Sequence, residues 1–188
     1  RGGRIVDVDQ AIEILRDSSA WTEADDAAWR AWVSEYLTWL LKSEKGQREA
    51  KALNNHATWY DVQAASLALS CGRVDVAKEI LGKVGERRIA RQVRPDGRQP
   101  MEMFRTKSWD YSVMNLRGLF ELASLGEEVG IDLWHYETED GRSIRKAFEY
   151  LLPYAVDEQE WPKKQVVEWK PEAIYPLARR AAVKYERE

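Results

Sequence analysis

One cysteine, two histidines, three phenylalanines and six prolines are all that 188 residues hold of these types. With Cys71 as the only cysteine, no intrachain disulfide can form and the fold rests on its core. Cys71 itself, next to Gly72, reads as a small buried residue. His56 and His135 stand far apart and belong to no Cys/His cluster, so no metal-ligand spacing exists. Neither a catalytic metal nor an organic cofactor is expected. No run of about 18 apolar residues occurs, so no helix is expected to span a membrane. A basic excess is lacking too: 29 Lys and Arg stand against 32 Asp and Glu, a formal net charge of −3. That excludes a global field able to draw in nucleic acid or anionic lipid, and a polyanionic ligand would require a local basic cleft. The chain opens on Arg1-Gly2-Gly3, without Met or a leader, so any export signal is expected upstream.

What is present is a hydrophobic fraction of 44% and a charged fraction of 32%, the balance of a folded domain. Nine Trp and eight Tyr dominate the aromatics. Their flat apolar faces with a polar handle suit stacking on sugar rings and equally suit packing between helices.

The periodicity is helical almost throughout. Asp7 or Asp9 is placed to cap a first helix in which Ile12 and Leu15 share a face. Thr22 followed by Asp25 resembles a capping box, with Asp where Glu or Gln is commoner. Trp29, Trp32, Val33, Tyr36, Trp39 and Leu40 then recur at three- and four-residue steps, with an end expected near Gly46. Further helices are expected over about 56–69, stopping at Gly72, over 74–81, and over about 86–93. Pro95-Asp96-Gly97 is a turn, because Pro presets φ and Gly accepts a positive one. Residues 98–108 show no clear period. Helices follow over about 114–125, 143–152 and 171–185. Alternating β patterns of useful length are absent. Consecutive helices with short connections imply antiparallel hairpins, an α/α toroid or a solenoid. The absence of a repeat near 34 or 40 residues favours the toroid.

Two clusters break the helical pattern. Asn54, Asn55 and His56 precede Trp59, Tyr60 and Asp61 at a helix start. Taken alone, this reads as an Asn cap followed by a surface His. Arg105, Thr106, Lys107 and Ser108 precede Trp109, Asp110 and Tyr111. Alone, this reads as a solvated loop with Tyr111 packing into the next helix.

Taken together, the series NNHATWYDVQAASLAL (54–69), RQVRPDGRQPMEMFRTKSWDYSVMNL (91–116) and DLWHYETEDGRSIRKAFEYLLPY (132–154) resembles the alginate-lyase domain of polysaccharide lyases. It is most similar to the group acting on alginate and glucuronan that carries Asn-Asn-His, Arg-Thr-Lys-Ser and Tyr-Ser in this order. The likeness runs from about Arg4 to Ala182. It implies an all-α fold, the C-terminal portion of an incomplete α/α toroid built of antiparallel helical hairpins. Residues 1–188 are thus read as a single domain, a C-terminal catalytic portion whose N-terminal part, lacking here, would supply some of the substrate cleft. The resemblance implies secretion or a periplasmic location and an anionic polysaccharide partner, with neither nucleic acid nor membrane involved.

By the same resemblance, Asn55 and His56 are the catalytic Asn and His, Arg105 binds the substrate carboxylate and Tyr111 is the catalytic Tyr. Arg105 and Tyr111 stand one position closer together than in some alginate lyases. The implied reaction is β-elimination from a 4-linked uronide. The C5 proton is weakly acidic while the carboxylate is ionised, so Arg105 and Asn55 would stabilise the enolate-like transition state. Tyr111 would be base and acid for the mannuronate-type epimer, and His56 the alternative base for the other. Tyr60 and Gln63 share a helix face with His56. They join Asn54, Trp59, Glu102, Lys107 and Trp109 as candidate substrate-binding or supporting residues. Trp59 and Trp109 would stack on sugar, Glu102 would orient Arg105, and Lys107 would meet the polyanion. His135 reads as structural. Two rival readings remain at this point: an α/α-toroid glycoside hydrolase, which would need two positioned carboxyl groups, and a non-catalytic helical scaffold or carbohydrate-binding fragment.

Overall fold

A computed structural model describes residues 3–185, and among these the regular structure is helical apart from isolated bridges. Helix α1 (Gly3–Leu15) starts before the acidic residues expected to cap it. Asp9 instead lies buried inside the helix and accepts the Ser66 hydroxyl at 2.9 Å. Ile12 joins the core, whereas Leu15 is about half exposed, so the two do not share a buried face.

Helix α2 (Glu23–Lys42) opens on the expected capping box, with Thr22 Oγ1 accepting the Asp25 amide and the Asp25 carboxylate accepting the Thr22 amide. It stops at Ser43 rather than near Gly46. Ser43 closes α2 by donating its N–H to Trp39 and opens α3 (Glu44–Ala50) by accepting the Gly46 amide on its hydroxyl. Polar side chains that compete for backbone bonds favour such boundaries. Along α2, the rings of Trp29, Trp32 and Tyr36 stack in sequence with centroids 5.2 and 5.4 Å apart, and Trp39 follows tilted against Tyr36 at 5.5 Å.

Helix α4 (Asn55–Ser70) is the centre of the domain, touching α1, α2, α3, α5 (Val74–Leu81) and α8 (Ser108–Glu128). Its Ala64, Ala65, Ser66 and Ala68 are small enough for helices to close in on several sides. It ends where expected, with Gly72 at φ +77°. Cys71 is only partly buried, its thiol turned to the Ala68 carbonyl. Where one plain helix was expected over about 86–93, the chain forms a π turn (Gly85–Ile89) running into the short α6 (Ala90–Gln92). The π turn carries Arg88, which is buried and bonds both Asp61 carboxylate oxygens (2.7 and 2.9 Å) and the Ala50 carbonyl (3.0 Å).

The Pro95-Asp96-Gly97 turn forms as expected, Gly97 taking φ +85°. The supposedly irregular stretch after it contains α7 (Pro100–Met103), begun by a proline that needs no amide partner. Helix α8 is longer than its periodic part suggested. It packs along α4, and Gly118 permits this: a Cβ there would lie 2.8 Å from Thr58 Cγ2. Ser143 caps α9 (Ile144–Ala155), and a 3-10 turn (Pro171–Ile174) leads into α10 (Tyr175–Tyr185). No described helix is long and apolar enough to cross a membrane.

Candidate active site

The site forms where the start of α4 meets the segment joining α7 to α8. Asn54 is the cap of α4, its side-chain oxygen accepting the His56 amide at 3.3 Å. This sets Asn55 and His56 in the first helical turn, pointing different ways. Asn55 is buried and donates both its backbone N–H (2.5 Å) and its Nδ2 (2.7 Å) to the two oxygens of Glu102 on α7. Glu102 is 1% exposed. Burial pushes its carboxyl above the ordinary value, against the pull of the two Asn55 bonds and the charges of Arg105 and His56. Sequence reasoning had Glu102 orienting Arg105. Its oxygens are instead committed to Asn55, and Arg105 acts on it only through charge.

Arg105 lies just beyond α7, and Tyr111 in the first turn of α8. The guanidinium carbon of Arg105 sits 4.1 Å from the centre of the Tyr111 ring. A guanidinium stacked on an aromatic face keeps its in-plane N–H edges available for a carboxylate fork. His56 is exposed and its Nδ1 lies 2.7 Å from a Glu49 oxygen on α3. A carboxylate accepting Nδ1–H leaves Nε2 as the lone-pair nitrogen of the neutral ring. A surface cavity of about 690 Å³ runs along α3 and reaches Glu49. Asn55 is thus bonded to one buried carboxylate, Arg105 and His56 act on it through their charges, and Tyr111 joins them through the Arg105 stack, although His56 and Tyr111 are far apart in the chain.

The supporting residues divide. Lys107 is exposed and stands at the N-cap position of α8. Trp59 is partly exposed and donates to the Met114 carbonyl at 3.2 Å. Three of the candidate substrate-binding or supporting residues are enclosed, which corrects the expected stacking of Trp109 on sugar. Trp109 is 0% exposed, wedged against Trp161 and Trp169 with its indole N–H on the Lys170 carbonyl. Tyr60 is buried, its hydroxyl on the Leu40 carbonyl. Gln63 is buried and accepts the Tyr36 hydroxyl at 3.1 Å. The face that Tyr60 and Gln63 share with His56 does not stay in solvent, because α2 covers it one turn on. His135 lies elsewhere, exposed and paired with Asp132.

Two residues that sequence reasoning passed over stand at the site. Glu49 holds His56, and Phe104, directly before Arg105, is 82% exposed. Beneath them a buried amide network ties the two helices together. Gln92 accepts Thr58 (3.0 Å) and Asn115 (2.9 Å) and donates to the Asn54 carbonyl, while Asn115 also donates to Gln99, which reaches the Ser112 carbonyl. No described group of three or more His, Cys, Asp or Glu side chains is arranged to hold a metal ion.

Comparison with known proteins extends this picture. The chain is similar to a solved structure described as an alginate lyase from Bacteroides ovatus, with a TM-score of 0.91 and 31% sequence identity. The match covers 100% of this chain and 52% of that one, so the chain spans about half the length of the protein it resembles. No curated protein matches. The helical hairpins are those of an α/α toroid, as the sequence led us to expect. The family model for alginate lyase matches residues 1–161. The chain belongs to the alginate lyase family.

Proposed function

We propose that these residues form the catalytic portion of a polysaccharide lyase that cleaves 4-linked uronic-acid polymers, alginate or glucuronan, by β-elimination. The observation that carries the reading is the linkage of Asn55, His56 and Arg105 to Glu102, with Tyr111 stacked beneath Arg105. Elimination needs a carboxylate clamp, a base and an acid about a single sugar, and these four supply them.

In this reading the substrate carboxylate docks on the open edge of Arg105 with help from Asn55, whose amide Glu102 holds in one orientation. Negative charge that builds on the carboxylate as the C5 proton leaves is met by a fixed cation and a preorganised donor. For the mannuronate-type epimer, Tyr111 as phenolate takes the C5 proton. The C4–O4 bond breaks, a C4=C5 double bond forms, and the Tyr111 hydroxyl returns the proton to the departing oxygen. For the opposite epimer, Nε2 of His56 is the base, with Glu49 fixing the ring. Lys107 meets the polyanion at the rim, and Phe104 offers an apolar face to a sugar ring. The remaining wall of the cleft comes from outside these residues, a reading supported by the twofold greater length of the similar structure. The same reading places the protein in the periplasm or outside the cell, where such polymers occur.

A hydrolase reading would need a carboxyl acid beside the glycosidic oxygen. Glu102 is too deeply buried for that, and Glu49 is bonded to His56. The deciding experiment incubates the full-length protein with polymannuronate, polyguluronate and glucuronan. Elimination yields an unsaturated uronide with strong ultraviolet absorbance. New reducing ends without that absorbance would replace the proposal by hydrolysis, and binding with neither would leave a carbohydrate-binding scaffold.

A further inference from the structure

We infer that Gln165 is a positioning residue for Tyr111 and Arg105, and that the segment 161–170 caps helix α8 from outside. The inference rests on the lyase reading for its catalytic meaning. Helix α8 has Lys107 at its N-cap position, whose side chain cannot accept a hydrogen bond and makes no cap. The first amides of a helix have no partner within it, and those of Ser108 and Trp109 belong to fully buried residues, out of reach of water. Both are satisfied by a segment that arrives more than fifty positions later. The Ser108 amide donates to the Lys164 carbonyl (3.2 Å), and the Trp109 amide to the side-chain oxygen of Gln165 (3.1 Å).

The rest of the loop is held by the same segment. The Val166 amide donates to the Thr106 carbonyl at 3.0 Å, and Lys107 pairs with Gln165 in an antiparallel bridge. The Trp161 indole donates to the Ser108 hydroxyl (2.8 Å), which itself donates to the Lys164 carbonyl. The Gln165 amide nitrogen donates to Asp110 at 2.7 Å. Every residue from Thr106 to Asp110 is therefore tied to this segment, and the residues flanking that run are Arg105 and Tyr111.

Among these ties, Gln165 makes two through one side chain and needs both halves of an amide: an oxygen for the Trp109 N–H and a nitrogen for the Asp110 carboxylate. Glutamate would keep the acceptor but set a second carboxylate against Asp110. That makes a charge swap available as a test: Gln165→Glu with Asp110→Asn keeps the acceptor for Trp109 and restores a hydrogen bond with position 110, now donated by the asparagine amide.

Three variants of the full-length protein decide it: Gln165→Ala, Gln165→Glu, and Gln165→Glu with Asp110→Asn. Initial rates are followed by the absorbance of the unsaturated product, well below each thermal transition. Small misplacements of reacting groups cost up to about 10²-fold in rate, so kcat should fall about tenfold or more in both single variants. The double variant should recover to within about threefold of wild type. Folded Gln165→Ala with unchanged kcat, or a double variant no better than Gln165→Glu, overturns the positioning role. Amide hydrogen exchange tests the cap without reference to activity: Trp109 N–H should exchange faster in Gln165→Ala, and an unchanged rate refutes the cap. If Gln165→Ala does not fold, the comparison of the glutamate single and double variants still decides. A wild-type protein giving no unsaturated product would sink the lyase reading, while the exchange result would stand by itself.

Discussion

Arg105 rests its guanidinium on the face of the Tyr111 ring, 4.1 Å from its centre, so in the proposed mechanism the carboxylate clamp is seated on the proton-transfer residue. Removing the ring would unseat the clamp, and removing only the hydroxyl would not. Tyr111→Phe therefore isolates proton transfer. Its kcat should drop by about 10²–10⁴-fold with KM little changed, since positioned acid–base groups contribute about that much. Steady-state kinetics with a matched thermal melt checks this. Retention of more than about a tenth of the activity, a loss of only about 1.4 kcal/mol of barrier, would remove Tyr111 from the role.

Arg105→Lys keeps the charge but forfeits both the flat stack and the fork. KM should rise and kcat fall together, by about tenfold or more in kcat/KM, because the clamp acts in the ground state and more strongly in the transition state. An unaffected Arg105→Lys would mean that a point charge suffices.

The Glu49 carboxylate bonds the His56 ring. Glu49→Ala should consequently lower activity on the polymer whose epimer uses His56 as base, by about tenfold or more, and spare polymannuronate. The measurement is the ratio of rates on polymannuronate and polyguluronate. Equal losses on both would show that Glu49 serves the whole site and that His56 has no epimer-specific duty.

Glu102 makes stability depend on pH with a definite sign. Burial raises its folded-state carboxyl above the ordinary value of 4.5, so the folded protein binds more protons than the unfolded chain just above that pH. The associated stability is present at low pH and is lost as pH rises through the folded-state value. Glu102→Gln removes this dependence and adds a pH-independent cost from the lost second acceptor for Asn55. Across pH about 4.5 to 7, Tm of the variant should therefore climb relative to wild type. Parallel curves would show that Glu102 is ionised in the fold at its ordinary value.

The buried pair of Arg88 and Asp61 gives a stability prediction away from the chemistry. Arg88→Met leaves Asp61 charged and unpartnered in the core and should cost about 3–5 kcal/mol in denaturant unfolding. Replacing both, with Asp61→Leu, should recover most of that loss, because the penalty belongs to the stranded charge. A double variant as unstable as the single one would place the penalty in the bond from Arg88 to the Ala50 carbonyl.

What could be read from the sequence was whatever depends on neighbours in the chain. The capping box at Thr22, the positive φ of Gly72 and Gly97 and the bounds of α5 are local choices and follow from local chemistry. The break at Ser43 escaped notice because the apolar period runs smoothly past it, and with it went α3 and Glu49. Periodicity names the face of a helix but not what will cover it. That is why the pattern suggests a sugar-stacking role for Trp109 and a supporting one for Tyr60 and Gln63, although α2 and the segment around Trp161 and Trp169 enclose them. The convergence of Asn55 with Arg105 was legible only through resemblance, since the Glu102 carboxylate that joins them carries no signal of its spacing.

Gly118 sits about two turns along α8 from Tyr111, where α8 and α4 come together, and Thr58 opposite it is tied through its hydroxyl to Gln92. Thr58 cannot rotate aside without breaking that bond, so an added methyl group would be accommodated by the helices moving apart. In the proposed mechanism, the gap between His56 and Tyr111 is thus calibrated by an atom that is absent. On that reading Gly118 is the fulcrum of the site, and its catalytic tolerance is a matter of how closely two backbones are allowed to approach.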